Sequence, residues 1–324
     1  GQGTNHFLFV AYKAFLAPEK SNTTLDNKFI DEDVVWHVAH PINTLQGCDA
    51  VKSNYFDLLK NSLPDIERKA FISFIDEKDG SHWAAATGYF VGTFAKDLFG
   101  IKATGKSLYI RFTELAKINN NKIVECCTFL DFIDVMNQVG VNPLRPSLGH
   151  DGFIMPPTTL DGLKKSLGDK NQNQQSISLV DNMLNELGRF DGVSITSMKL
   201  ENYWHPHFIW YGPAGVGTTR GIDGFRKHHQ QPFLTGFPDR GIDKKFCFIA
   251  NGNYAATGGW PHMYGTHSGD NWLGLASSDV KVYPRVMDIW RREDDMLVEN
   301  WVAIDIPDML HQMGNNLLSE LLKT

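Results

Sequence analysis

The chain repeats itself, and this constrains its fold more than any other feature. Sliding the 324-residue sequence by 174 positions lays Gly47-Cys-Asp49 on Gly221-Ile-Asp223, Pro64-Asp65 on Pro238-Asp239 and Tyr109/Arg111 on Tyr283/Arg285. The copies agree best at their ends, where Asp131, Asp134, Gln138 and Gly140 fall on Asp305, Asp308, Gln312 and Gly314. Upstream of Gly47 the offset drops to 168, where Trp36-His37 meets Trp204-His205. The second copy therefore carries six extra residues within 208–220, a Gly-rich stretch that reads as a loop. A repeat of this length predicts two domains of one fold, not one large core.

Four prolines within 141–176 and the polar run Asp169–Gln175 mark a linker, placed at residues 146–175, giving a first copy at 1–145 and a second at 176–324. Each copy reads as helices first and strands afterwards. In the second, apolar residues at helical spacing over 177–187 stop at Gly188, and a further helix is expected from about Ile222 to Leu234. From Lys245 the pattern alternates with period two, predicting strands over 246–250, 259–267, 280–291 and 297–306. Helices segregated from an antiparallel sheet predict an α+β class.

Alternation places Val282, Pro284, Val286, Asp288 and Trp290 on one strand face, with Val302 and Ile304 on the apolar face of the next strand. The first copy puts Glu114 on the corresponding apolar face. A carboxyl group on an apolar face is desolvated, which raises its pKa toward the range a general acid or base needs at neutral pH. Asp288 is thus the candidate catalytic group, and His267 and His262 are candidates to polarise a substrate oxygen. His205, His207, Trp210, Tyr211, His228, Trp260, Tyr264, Trp272 and Val302 are candidates to line the substrate site. The plain alternative is a carboxylate paired with a nearby cation at a strand end.

Composition excludes other classes. A formal charge of −6 offers no basic footprint for nucleic acid or an anionic membrane. The apolar stretch 7–17 is interrupted by Lys13 and falls short of the ~20 residues that span a bilayer. The four cysteines show no C-x-x-C spacing, which fits a reducing cytoplasmic location, and the adjacent Cys126 and Cys127 read as core packing. His205-Pro-His207 and His228-His229 lack the helical spacing or carboxylate partner of a metal site, so no metal and no cofactor is expected. Gly212–Gly217 lacks the Lys-Ser/Thr of a phosphate loop.

Trp204-His-Pro-His-Phe208, Phe237-Pro-Asp239, Tyr264-Gly-Thr-His-x-Gly269 and Glu299-Asn-Trp-Val-x-x-Asp305 with Leu310-x-Gln-x-Gly314 together resemble the SnoaL-like polyketide cyclase family. The first copy is similar through Gly92-Thr-Phe94, Arg111-Phe-Thr-Glu114 and the Asp131–Gly140 ending. The resemblance implies two tandem cone-shaped α+β barrels of the nuclear-transport-factor-like superfamily, each a curved sheet wrapped around N-terminal helices and enclosing a hydrophobic cavity. It also implies a cavity Asp that acts as acid and base in a ring closure, aided by a His on the neighbouring strand. Here Val302 stands where the family has that Asp, and Thr128 in the first copy. Asp288 and Glu114 stand where it has the His.

Two functions follow. One is a cofactor-independent acid/base enzyme of cyclase, isomerase or dehydratase type, acting on a small apolar or polyketide-like molecule through Asp288. The other is a non-catalytic binding or scaffold protein whose two cones form an intramolecular pseudo-dimer. In that reading Arg285, Trp301 and Asp305 on the opposite sheet face serve packing, and the first copy is degenerate in either case.

Overall fold

The computed structural model describes residues 28–190 and 194–315, which form two compact units. In the first, strand β1 (Ile30–Val38) and short β2 (Asn43–Gln46) precede a helical segment α1, made of Cys48–Val51, Lys52–Phe56 and Asp57–Ser62 in continuous right-handed conformation. Strands β3 (Glu67–Lys78), β4 (Ser81–Thr93), β5 (Ser107–Asn119) and β6 (Lys122–Leu130) follow, then helix α2 (Phe132–Gln138). They make a six-stranded sheet in the order β2-β1-β6-β5-β4-β3.

The second unit repeats the plan. Helix α3 (Lys170–Leu187) leads to β7 (Trp204–Tyr211), β8 (Thr219–Arg220) and a helical segment α4 running through Gly221–Phe225, Arg226–Gln230 and Gln231–Gly236. The strands β9 (Gly241–Ile242), β10 (Cys247–Asn251), β11 (Tyr254–Gly259), β12 (Met263–Thr266), β13 (Lys281–Val282), β14 (Val286–Glu293) and β15 (Met296–Ile304) follow, closed by helix α5 (Ile306–Gln312). The main sheet runs β10-β11-β14-β15-β7-β8, and a small sheet runs β13-β12-β9.

The repeat is carried down to irregular details. The middle turn of α1, Lys52–Phe56, is a wide π turn, and so is Arg226–Gln230 of α4 at the 174-residue offset. β-bulges at Lys117/Ile118 and Arg291/Arg292 share that offset, bending equivalent strands. Asp131 caps α2 through the Asp134 N–H as Asp305 caps α5 through the Asp308 N–H. Gln138 clasps the Tyr109 backbone in both directions, and Gln312 clasps that of Tyr283. Asp65 accepts from the backbone N–H and hydroxyl of Thr93, and Asp239 does so from Thr266.

Three details depart from the sequence reading. Strands stand ahead of the helical segments α1 and α4: β1 pairs in parallel with β6 and β7 with β15, so one parallel pair joins an otherwise antiparallel sheet. Pro206 and the exposed His205 and His207 hid β7 by breaking its apolar alternation. The expected strands 259–267 and 280–291 are each interrupted at a proline, Pro261 and Pro284, which cannot donate to a ladder.

The third departure concerns 146–175. Its polar run is already helix: α3 begins at Lys170, with the Asp169 carboxylate accepting from the Gln172 N–H. The Nη2 of Arg292 donates to the Gln172 carbonyl and side-chain oxygens and its Nε to Ser176 Oγ, so those polar residues anchor α3 to the sheet. Residues 142–157 also belong with the second unit, and 158–167 with the first. Gly149 and Gly217 let the two backbones meet, since a Cβ on Gly217, at φ +84°, would lie 2.7 Å from the Gly149 carbonyl carbon. No helix among the described residues is long and apolar enough to cross a membrane.

Candidate functional site

A cavity of about 200 Å³ lies inside the second cone. Its floor is the inner face of β14 and β15, where the alternation read from sequence holds: Pro284, Val286, Asp288 and Trp290 line it from one side, Asn300, Val302 and Ile304 from the other. One wall is α4, which presents Phe225, His229, Gln230 and Phe233. Four-residue spacing keeps Phe225, His229 and Phe233 on one face. The C-terminal turns of α3 supply Met183, Leu184 and Leu187, and Trp204 and Trp210 come from β7. Arg240, Gly241 and half-exposed Ile242 border it where α4 hands over to β9.

Asp288 sits directly across the ladder from Val302, so the position pairing read from the repeat is a cross-strand pair. Burial pushes its carboxyl up to about 7, against a smaller downward pull from the Asn300 side chain. The Asn300 amide donates to Asp288 Oδ1 at 3.3 Å and to the Ile289 carbonyl at 3.0 Å. The carboxyl keeps some accessible surface because it lines the cavity.

His229 lies flat on Trp210, with centroids 4.0 Å apart and planes 18° from parallel, and against Phe233 on its other side. Its Nδ1 is buried without a hydrogen-bond partner. Burial, and then the charge of Arg240, push its pKa down to about 3, so the ring is neutral. The indole nitrogens of Trp204 and Trp290 and the side-chain oxygen of Gln230 are likewise buried and unpartnered.

The structure brings Asp288, His262, Trp210, Trp272 and Val302 to this cavity and leaves the other candidates outside it. His205 and His207 are exposed on β7. Tyr211 stacks on Trp301 at 5.4 Å, and the Trp301 indole donates to the Met155 carbonyl. Trp260 lies under the Arg285 guanidinium, which also pairs with Asp305 and Asp308. Tyr264 packs below Lys281. His228 lines a separate small pocket beside Arg145 and Pro232, because one step along α4 turns it away from the face of His229.

His267 stacks on Phe237 at 5.3 Å, and its Nδ1 is taken by the Ser278 hydroxyl and backbone N–H. His262 lines the cavity, but its Nδ1 faces the Lys244 carbonyl at 2.9 Å. Since a carbonyl only accepts, the proton sits on Nδ1 and the neutral ring offers Nε2 as an acceptor. In that state His262 does not polarise a substrate oxygen by donation, contrary to the role sequence suggested. Sequence reasoning passed over Trp204, Phe225, Phe233, Arg240 and Asn300. Helical spacing from Phe225 was the signal for His229 and Phe233.

The first cone closes the equivalent position. Glu114 pairs across the ladder with Thr128, and both are fully buried. Arg68 Nη2 donates to Glu114 at 2.7 Å, the Thr128 hydroxyl donates to its other oxygen at 2.7 Å, and the Trp36 indole donates to Thr128. Each Glu114 oxygen thus has a donor within the protein, and the side chain is buried away from any ligand. Among the described residues, no group of three or more His, Cys, Asp or Glu is placed to hold a metal ion.

The chain is similar to several solved structures. AclR from Streptomyces galilaeus shares 18% identity and a TM-score of 0.35, covering 44% of this chain and 96% of its own. IdmH from Streptomyces antibioticus shares 16% identity at a TM-score of 0.33, covering 44% and 100%. TsrD from Streptomyces laurentii shares 21% at 0.34, covering 45% and 98%. No curated protein matches the chain. The model of the SnoaL-like polyketide cyclase family, however, matches it twice, over residues 9–139 and 195–313. With both cones accounted for in this way, the chain belongs to the SnoaL-like polyketide cyclase family.

Proposed function

We propose that the second cone is a cofactor-independent acid/base enzyme acting on a small, largely apolar molecule with an acidic C–H or an eliminable hydroxyl. The observation that carries this reading is the Asp288 carboxyl, held near pKa 7 at the floor of a cavity and free of any cation. Such a group exchanges a proton in either direction at neutral pH. In its ionised form Asp288 takes the proton from the acidic carbon, and the carboxylic acid then returns it to another atom of the same molecule. The side chains of Trp204 and Trp290, whose indole nitrogens are buried without a partner, line the same cavity.

Val302 argues that the reaction differs from a polyketide ring closure, because the carboxyl stands one strand away from the family position. The first cone, with Glu114 tied to Arg68 and Thr128, serves as a structural copy in this reading. The test is deuterium uptake from D2O into one- and two-ring ketones, followed by proton NMR. Uptake should be faster with the native chain than with Asp288→Asn, and its rate should rise as the pH climbs through about 7. Equal uptake by the two proteins refutes Asp288 as the acid/base group.

A further inference from the structure

The arginines of the second cone differ in what surrounds their charge. Arg226, Arg285 and Arg291 each pair with a carboxylate, on Glu201, on Asp305 and Asp308, and on Glu293 and Glu299. Arg292 is enclosed by oxygens from Gln172, Ser176 and Asp294. Arg240 has neither. One nitrogen, Nη2, donates to the Leu187 carbonyl at 3.1 Å and lies 3.9 Å from Met198 Sδ. Among the described residues no carboxylate reaches ion-pair distance of it. Its neighbour Asp239 is committed with both oxygens to Thr266, which fixes the turn that carries Arg240.

A guanidinium has five N–H donors, so Arg240 keeps most of its capacity unused at the wall of the cavity. Nothing within that wall balances its charge. Asp288 is the one carboxyl among the lining residues and is about half protonated at neutral pH, and His229 is neutral. A mostly buried cation without a counter-ion is costly unless a ligand supplies the anion. The position beside half-exposed Ile242 allows an anionic group to stay partly hydrated while the rest of the molecule enters.

We propose that the second cavity selects a small carboxylic acid of one or two rings, its carboxylate seated on Arg240 at the mouth and its reacting end directed to Asp288. The proposal rests on the reading of this cavity as the active site and adds the substrate class. The size follows from volume: an engineered cavity of about 150 Å³ takes one benzene ring, so about 200 Å³ suits one ring or two fused ones. Phe225, Phe233 and the Trp210–His229 stack supply flat apolar surface for such rings.

The experiment compares naphthalene-2-carboxylate with its neutral amide, naphthalene-2-carboxamide, on the full chain by calorimetry. The acid is expected to bind about tenfold or more tightly than the amide, as charge-assisted bidentate pairing implies. Arg240→Gln should bring the two within about twofold by weakening the acid, and an unchanged circular dichroism spectrum reports that the variant is folded. Arg240→Lys should keep an intermediate preference, since the charge remains and the fork is lost. Equal binding by the native chain, a preference that survives Arg240→Gln, or failure of both compounds to bind below about 10 mM overturns the proposal. Should Arg240→Gln lose both ligands through misfolding, the native acid-to-amide ratio and the Lys variant decide. Asp288→Asn should keep the preference for the acid, so failure of the acid/base reading shows in that variant's proton exchange and failure of the carboxylate assignment in Arg240.

Discussion

Asp288→Asn should make the chain more stable above neutral pH while removing its acid/base chemistry. The Asp288 proton is held at about pH 7 in the folded chain against 3.8 when unfolded, roughly three powers of ten more tightly. Between these values the native state binds more protons than the unfolded one, so this group's contribution to stability falls as pH rises from about 4 and levels off above about 7. At 1.36 kcal/mol per power of ten the ceiling is about 4 kcal/mol, and the residual access to the cavity brings the expectation to about 2–4 kcal/mol. Asparagine is isosteric, never ionises, and can still accept from the Asn300 amide through its own oxygen.

Urea denaturation of both proteins from pH 5 to pH 9 isolates the effect, because groups they share cancel in the difference. Tryptophan fluorescence reports the right unit, since six of the eight tryptophans (204, 210, 260, 272, 290 and 301) lie in the second cone. The variant's margin over the native chain should widen by about 1–2.5 kcal/mol between pH 5 and pH 9, most of it below pH 7.5. A difference that does not change with pH would show that Asp288 is solvated or paired in solution. The acid/base reading would then lose its physical basis.

Three further outcomes follow from the same geometry. His229 is held neutral with its pKa at about 3, so native stability should decline as pH falls below about 6.5; His229→Phe, which keeps the stack on Trp210, should remove up to about 3–5 kcal/mol of that decline by acid denaturation, and an unchanged slope would refute the burial argument. Glu114→Gln breaks a pair whose side chains are 0% and 5% exposed, and should destabilise the first cone by about 3–5 kcal/mol in calorimetry without altering ligand binding to the second cavity. Val302→Asp faces Asp288 with a second carboxyl across the ladder, so the pair should share a proton and the pH at which deuterium uptake rises should move upward by about one unit or more. A profile unmoved by the added carboxyl would place the two groups out of reach of each other.

How far the sequence discloses this site depends on which interactions are periodic. The face of Pro284, Val286, Asp288 and Trp290 was readable because a strand repeats every two residues and the odd carboxyl stands out. The capping aspartates, the Gln138 and Gln312 clasps and the closing helices were readable as repeats, because local hydrogen-bond geometry needs those side chains in both copies. The strand β7 was not, since half its residues face solvent and one is proline. Aromatic and histidine content misled in a particular way: it points to the second copy, yet most of those rings pack outside the cavity described there. Tyr211, Trp260, Tyr264 and His267 stack on Trp301, Arg285, Lys281 and Phe237, contacts that no spacing rule predicts.

The contrast between the cones shows what separates a core from a site in this fold. Both place a carboxyl at the same point of the same strand, opposite Thr128 in one and Val302 in the other. In the first, Arg68 and the Thr128 hydroxyl each donate to one carboxylate oxygen, the Trp36 indole donates to that hydroxyl, and the group is buried with its charge balanced. In the second, valine offers no donor, Ile242 stands at the repeat position of Arg68, and the nearest arginine in sequence, Arg240, makes no ion pair with the carboxyl. Supplying the missing donors should close the second site as well. The double variant Val302→Thr with Ile242→Arg is expected to pull the Asp288 pKa back below about 5 and abolish deuterium uptake. A carboxyl that still titrates near 7 in that variant, by carbon-13 NMR of labelled aspartate, would mean that cavity shape and not pairing sets its proton affinity.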